Sequence, residues 1–120
     1  MNLSLDANQQ QIREAIQGFV RSEVAPNGQA WDAAETLPRE RLGALAGLGM
    51  LGVMVPEAHD GVGLGLVEAA IVLEEVARGD GGLAVAMASH AVMAIGHLQR
   101  TGSEAQQSAW LPELATGDKL

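Results

Sequence analysis

Apolar residues recur at helical spacing along most of the chain. In the first segment, a capping-box pair of Asp6 and Gln9 precedes apolar residues at spacings of 4, 3, 1 and 4, which place them on one helix face. These apolar positions are Ile12, Ile16, Phe19, Val20 and Val24. The pattern predicts a first helix that starts after Asp6 and ends at Ala25-Pro26.

Two shorter helical patterns follow the first. One spans residues 26–34 with Trp31 as its large apolar anchor, and the other starts near Pro38 and stops at Gly47 and Gly49. Between residues 51 and 65 the helical period is lost. We expect residues 53–56 to form a brief extended run. Turn chemistry follows it, and we expect positive φ angles at the loop glycines. These glycines are Gly61, Gly63 and Gly65.

The helical period returns at Leu66 and continues to a glycine-rich stop at residues 79–82. Glu74 lies four residues before Arg78, which predicts an ion pair on the helix surface. Glu74 and Glu75 are adjacent, so they project about 100° apart and do not form a working acid–base pair. We expect both carboxylates to face solvent.

Residues 83–98 are apolar almost all round, which predicts a central helix covered on several sides. Sixteen residues rise only about 24 Å as a helix, less than the roughly 30 Å of a membrane core, so we expect no membrane span. A last helix begins with the capping pattern of Ser103 and Gln106. Together these elements predict an all-α fold, an up-and-down bundle of about six helices over residues 1–120.

The charge balance argues against nucleic acid as a partner. Fifteen acidic residues stand against seven basic ones, for a net charge of −8, which repels a phosphate backbone and an anionic membrane surface. The chain has no cysteine, so it has no disulfide framework and no thiolate site. The first residues show no basic and apolar leader pattern, and we expect a cytoplasmic protein.

Three motifs suggest chemistry, and their context argues against each of them. Residues 47–52 match G-x-G-x-x-G, but a helix precedes the first glycine, where a dinucleotide site requires a strand. His90 and His97 are seven residues apart, too far for an i, i+4 metal pair. His59 beside Asp60 has no nucleophile near it. From the residues alone the chain is a helical domain of interaction type.

Several stretches, taken in order, nevertheless resemble the N-terminal helical domain of the acyl-CoA dehydrogenase family. They are QQIR (10–13), EVAP (23–26), LPRE (37–40), LGMLGV (48–53), VPE (55–57), GVGL (61–64), LEEVAR (73–78), GSEAQ (102–106) and WLPELATG (110–117). Trp110 departs from the family, which often has tyrosine there, and His59-Asp60 replaces a common aromatic–glycine pair. These departures leave the subgroup open.

The resemblance implies an FAD-dependent oxidoreductase that removes the α-proton and the β-hydride of an acyl-CoA thioester. In the family, a middle β-domain and a C-terminal helical domain supply the main flavin contacts and the catalytic base. We therefore expect the chain to be cut at a domain boundary, with both of these beyond residue 120, and to be inactive alone. The resemblance also implies an electron-transfer partner and a homo-oligomer for the complete enzyme.

The same resemblance places four residues on the wall of the acyl pocket. They are Ala86, Ser89, His90 and Met93, which share one face at helical spacing. Small side chains leave room for an acyl chain and methionine is an adaptable wall. Plain packing between helices is the alternative for these four. For the whole chain, the alternatives are a stand-alone helical interaction module and the same domain of a related flavin oxidase or monooxygenase.

Overall fold

Every regular element that the computed structural model describes, over residues 4–120, is helical. The α-helices are α1 (Ala7–Phe19), α2 (Gly28–Ala33), α3 (Arg39–Gly47), α4 (Leu66–Gly79), α5 (Gly81–Ala88), α6 (Ile95–Thr101) and α7 (Glu104–Ala115). A π-helical segment, Val20–Val24, extends α1, and a second one, Ser89–Ala94, joins α5 to α6. The all-α prediction is confirmed, and α5, its π segment and α6 form one long helix, Gly81–Thr101.

The two helix starts predicted from capping boxes are confirmed by side-chain caps. Asp6 Oδ1 accepts from the Gln9 amide at 2.8 Å, and Gln9 Oε1 accepts from the Asp6 amide at 3.1 Å. Ser103 and Gln106 repeat this box at α7, at 3.2 and 2.8 Å. Each box satisfies amide groups that a helix leaves without partners in its first turn. The first three residues of the chain, on which the leader prediction partly rests, lie outside the described residues.

Two apolar clusters hold the helices together. The larger one joins α1, α3, α4 and α5 and includes Ile16, Val24, Leu45, Val72, Val76, Leu83 and Met87. The smaller one ties α7 to the long helix and to the loop before α4, through Val55, Ile95, Leu111 and Ala115. The position of α7 therefore depends on a small core of its own.

The long helix is less covered than its composition predicts. Leu83, Met87 and Ile95 are buried, but Val85 is 67% exposed and Met93 is 68% exposed. The prediction of a helix covered on several sides is wrong, because among residues 4–120 only one face of the helix has packing partners. The helix has 21 residues and 28% of its most apolar stretch is buried. It is long and apolar enough to cross a membrane, so the length argument fails. Leu83, Met87 and Ile95 on its buried face nevertheless pack into the two apolar clusters.

Glu75 corrects the prediction of a solvent-facing carboxylate. Its side chain is only 4% exposed, and its Oε1 accepts from Arg13 Nε at 2.8 Å while Arg78 Nε lies 3.7 Å from Oε2. The reason is a non-local contact: α1 packs on the α4 face that carries Glu75. Glu74 is exposed and pairs with Arg78 at 2.6 Å, as predicted.

The loop before α4 also differs from its prediction. Residues 51–54 form turns and Val55 a bend, rather than an extended run, because the Val55 amide bonds back to the Gly52 carbonyl at 3.1 Å. Gly63 has the expected positive φ of 72°, whereas Gly65 has a φ of −97° and caps α4. Gly61 is not among the positive-φ residues. It serves close approach instead, since a Cβ there would lie 1.9 Å from the Val55 carbonyl oxygen.

A carboxylate at the start of α4 makes stability depend on pH. The hydrogen bond from the Gln9 side chain lowers the pKa of Glu68, and backbone amides including that of Gly65 lower it further. A carboxyl group with a lowered folded pKa stabilises the fold above its unfolded pKa of about 4.3. That contribution is lost as the pH falls through the folded pKa.

Replacing Gln9 with alanine (Gln9→Ala) should therefore lower the free energy of unfolding at neutral pH, and the difference from the parent should shrink in acid. Urea unfolding at pH 7 and pH 3 measures this, with Gln10→Ala as the control on an exposed i, i+4 pair. Gln9→Ala also removes the hydrogen bond from the Asp6 amide to the Gln9 side chain. That loss lowers the free energy of unfolding by an amount that does not depend on the charge of Glu68. An identical Gln9→Ala difference at both pH values would contradict the role of Glu68.

Candidate functional site

A cavity of about 320 Å³ lies between the long helix and the start of α3. It is lined by Leu37, Arg39, Leu42, Ala86, Ser89, His90, Ala94 and Leu120. Three of the four residues predicted for the pocket wall, Ala86, Ser89 and His90, are in this lining. The volume is at the lower end of the range for small-molecule sites.

The polar wall residues direct their hydrogen bonds away from the cavity. Ser89 Oγ donates to the Val85 carbonyl at 2.9 Å. His90 Nε2 lies 2.8 Å from the Leu114 carbonyl oxygen, and it carries the proton because a carbonyl only accepts. With these donors used, the helix presents an apolar surface to the cavity. Such a surface suits a hydrocarbon chain.

Met93, the fourth predicted residue, does not line the cavity, and Ala94 stands there instead. The π segment, Ser89–Ala94, explains the difference. A π turn adds one residue to the helical repeat, so the position that α-helical spacing assigns to Met93 is taken by the next residue. Met93 is largely exposed on the outer side. The substrate role of all four residues stays a prediction.

Three lining residues come from the start of α3 and the segment just before it, and the sequence reasoning did not anticipate them. They are Leu37, Arg39 and Leu42. The lining residues of the long helix begin at Ala86, more than 40 residues further along the chain, so local periodicity gives no signal for the contact. Arg39 forms no ion pair with a described residue, and no carboxylate is among the lining residues.

The glycine run at residues 47–52 does not fit a flavin or nicotinamide phosphate. Gly49 has a φ of 79°, and its amide bonds to the Ala46 carbonyl at 2.8 Å. The Met50 amide bonds to the Leu45 carbonyl at 2.9 Å. This is the Schellman end of α3, and it uses the amides that a phosphate cradle would need. Rejection of the dinucleotide motif is therefore supported by backbone geometry.

A cavity of about 310 Å³ beside α2 collects the carboxylates of Asp32, Glu35 and Asp80. Asp80 is committed to the start of α5, where its Oδ1 accepts from the Leu83 amide at 2.6 Å. Over residues 4–120, no group of three or more histidine, aspartate or glutamate side chains is arranged to hold a metal ion. The apolar cavity on the long helix is thus the better candidate for a binding site.

The comparison with protein families decides the identity of the fold. The family model described as "Acyl-CoA dehydrogenase, N-terminal domain" matches residues 6–118. The chain belongs to this family. The acyl-CoA dehydrogenase resemblance of the sequence motifs is therefore confirmed, and the helical bundle is the N-terminal domain of that fold.

Named relatives of this acyl-CoA dehydrogenase domain agree with the family match. Mitochondrial isovaleryl-CoA dehydrogenase of Pongo abelii is 34% identical over 118 residues, which cover 97% of this chain and 28% of the relative. The (2S)-methylsuccinyl-CoA dehydrogenase of Cereibacter sphaeroides is 34% identical over 117 residues, covering 97% of this chain and 21% of the relative. The chain thus spans less than a third of these curated relatives.

Solved structures show the same acyl-CoA dehydrogenase domain. The glutaryl-coenzyme A dehydrogenase glutaryl-CoA complex matches with a TM-score of 0.93 and 28% identity, over 98% of this chain and 31% of the other. PigA, solved with FAD and proline, matches with a TM-score of 0.88 over 98% of this chain and 31% of its own. Its identity of 24% makes that a likeness of fold alone.

Proposed function

We propose that these residues act as the N-terminal domain of an FAD-dependent acyl-CoA dehydrogenase and form part of the wall of its acyl pocket. The cavity on the long helix is the observation that carries the proposal. Ala86, Ser89 and His90 line it together, and the hydrogen bonds of the two polar residues point elsewhere. The names of the relatives, which are acyl-CoA dehydrogenases, support the reaction class.

The chemistry explains why an apolar wall is needed. FAD bound in the complete enzyme would supply the acceptor for the β-hydride of the acyl group, a carboxylate would take the α-proton, and water would have to be kept from the reacting atoms. The alanines and leucines around the cavity exclude water from one side of an acyl chain. In line with the family resemblance, we assign the main flavin contacts and the base to a middle β-domain and a C-terminal helical domain of the complete enzyme.

The partners and the location follow from the same proposal. The complete enzyme would bind an acyl-CoA thioester, pass electrons to an electron-transfer protein and assemble as a homo-oligomer. Several relatives have mitochondrial names, and a related probable acyl-CoA dehydrogenase is from Bacillus subtilis. The cytoplasmic location of this chain stays a prediction.

A helical interaction module is the second candidate, and one observation favours it. Leu66, Val85 and Met93 each expose about two-thirds of their surface, an amount of apolar surface that suggests a covering partner. In the first proposal the other domains of the enzyme cover this surface. The length of the complete reading frame distinguishes the candidates, because a frame that stops after Leu120 would exclude the first.

Filling the cavity should change which acyl chains the enzyme accepts. Ala86→Phe places a ring in the space between the long helix and α3, so in the enzyme from the complete reading frame kcat/KM for long-chain acyl-CoA should fall by about tenfold or more. The value for a short acyl-CoA should change little. Steady-state kinetics with a series of acyl-CoA thioesters measures both.

Ala105→Phe is the matched control, because Ala105 is exposed on α7 and does not line the cavity. That variant should keep the parent's chain-length profile. If Ala86→Phe also keeps that profile, the cavity is not the acyl pocket. If the parent enzyme carries no flavin and oxidises no acyl-CoA, the proposed function itself is wrong.

A further inference from the structure

One hydrogen bond connects the cavity wall to the end of the last helix. The donor is the Nε2–H group of His90 and the acceptor is the Leu114 carbonyl, at 2.8 Å and 24 residues apart in sequence. The contact is partly buried. It requires the ring tautomer with the proton on Nε2, and in the neutral ring it leaves Nδ1 without a proton.

The bond completes the carboxyl end of α7. Carbonyl groups in the last turn of a helix have no intrahelical amide partner and need other donors. The Pro112 carbonyl accepts from the Thr116 amide at 3.0 Å, and the Glu113 carbonyl accepts from the Lys119 amide at 3.0 Å. The Leu114 carbonyl, next in order, accepts from His90. A side chain of the long helix thus supplies a donor that the local chain does not.

The chain on both sides of this bond lies close to the cavity. On one side, His90 itself lines the cavity from within the π segment. On the other side, six residues after Leu114, Leu120 lines the same cavity. Gly117 lies between them with a φ of 80° and redirects the chain after α7. The His90 ring therefore connects two walls of the same cavity, the long helix and the segment that follows α7.

We infer that His90 is a positioning residue, which sets the width of the cavity by fixing the end of α7 against the long helix. This inference rests on the proposed function, because it assigns the width of the acyl pocket to a contact behind its wall. His90 then acts through Leu114 and Leu120 rather than by touching the reacting atoms. The π segment contributes by changing the helical register at the ring.

Three substitutions separate a donor role from simple packing. Glutamine at position 90 (His90→Gln) places an amide N–H at nearly the reach of Nε2, asparagine (His90→Asn) places it one methylene shorter, and leucine (His90→Leu) fills space without a donor. In the enzyme from the complete reading frame, we expect the kcat/KM ratio between a branched and a straight acyl-CoA to change about tenfold in His90→Leu and His90→Asn. It should stay within about twofold of the parent in His90→Gln.

A second readout does not need the reaction. Amide hydrogen exchange of Thr116 and Lys119 should speed up about fivefold in His90→Leu, as expected for the loss of one net hydrogen bond, and should be preserved in His90→Gln. Faster exchange with an unchanged acyl-CoA ratio would overturn the inference, since the bond would then hold α7 without setting the pocket. Unchanged exchange in His90→Leu would overturn it too.

The two readouts also separate this inference from the proposed function. If the parent enzyme oxidises no acyl-CoA thioester, the proposed function fails, and the inference that rests on it fails too. If the parent is active and all three variants share its acyl-CoA ratio, only the role of His90 fails. Rescue by His90→Gln alone, in both readouts, is the result that supports it.

Discussion

Replacing Gly61 with alanine is expected to lower the free energy of unfolding by about 3 kcal/mol or more. A Cβ at this position would lie 1.9 Å from the Val55 carbonyl oxygen and 2.4 Å from the Val55 carbonyl carbon. These are backbone atoms, so a change of side-chain rotamer does not relieve the clash. Val55 is also fully buried in the smaller core, and moving it would disturb the packing of α7.

Urea unfolding followed by circular dichroism measures this loss. Gly43→Ala is the control, because Gly43 lies inside α3 with no atom within 4 Å of the new Cβ. Alanine is the better helix former there, so that variant should gain up to about 1 kcal/mol. A Gly61→Ala protein as stable as the parent would show that the loop moves away from Gly61 at little cost.

Replacing Arg13 with methionine (Arg13→Met) is expected to lower the free energy of unfolding by about 2–3 kcal/mol. Methionine keeps an apolar stem but leaves the Glu75 carboxylate, 4% exposed, without its 2.8 Å partner. The remaining cation, Arg78, lies 3.7 Å from the other oxygen and also serves Glu74. A buried charge with one distant partner is costly.

A double-mutant cycle tests this explanation. Adding Glu75→Leu to Arg13→Met removes the stranded charge, so the double variant should recover most of the loss. Arg41→Met is the matched single control, because its partner Glu23 is 44% exposed and water replaces the lost contact. Equal losses in Arg13→Met and Arg41→Met would contradict the importance of burial.

Local patterns predicted the parts of the fold that depend on neighbours in sequence. Both capping boxes, the glycine end of α3 and the Glu74–Arg78 pair follow from residues three to five positions apart. The burial of Glu75 does not, because it depends on where α1 crosses α4. Likewise, glycine at position 61 is typical of a turn, whereas the structure requires glycine there because the Val55 backbone lies too close for a Cβ.

The lining of the candidate site was likewise only partly predictable from the sequence. The family resemblance selected residues that line this cavity as far as His90, and α-helical spacing then placed Met93 on the same face. The π segment moved the next wall position to Ala94. No simple sequence signal marks a π turn in an alanine-rich helix. The contribution of Leu37 and Leu42 could not be read either, because it requires the packing of α3 on the long helix.

Because the smaller core is separate from the larger one, we expect the domain to open in two cooperative units. Within residues 4–120 the smaller core consists of four buried side chains, with Leu98 and Leu114 packed beside them: Val55, Ile95, Leu111 and Ala115. The larger cluster, around α1 and α4, does not include them. A unit with so few buried contacts opens at a lower free energy than the main core does. We therefore expect α7 to detach and reclose while the larger cluster, around α1, α4 and α5, stays folded.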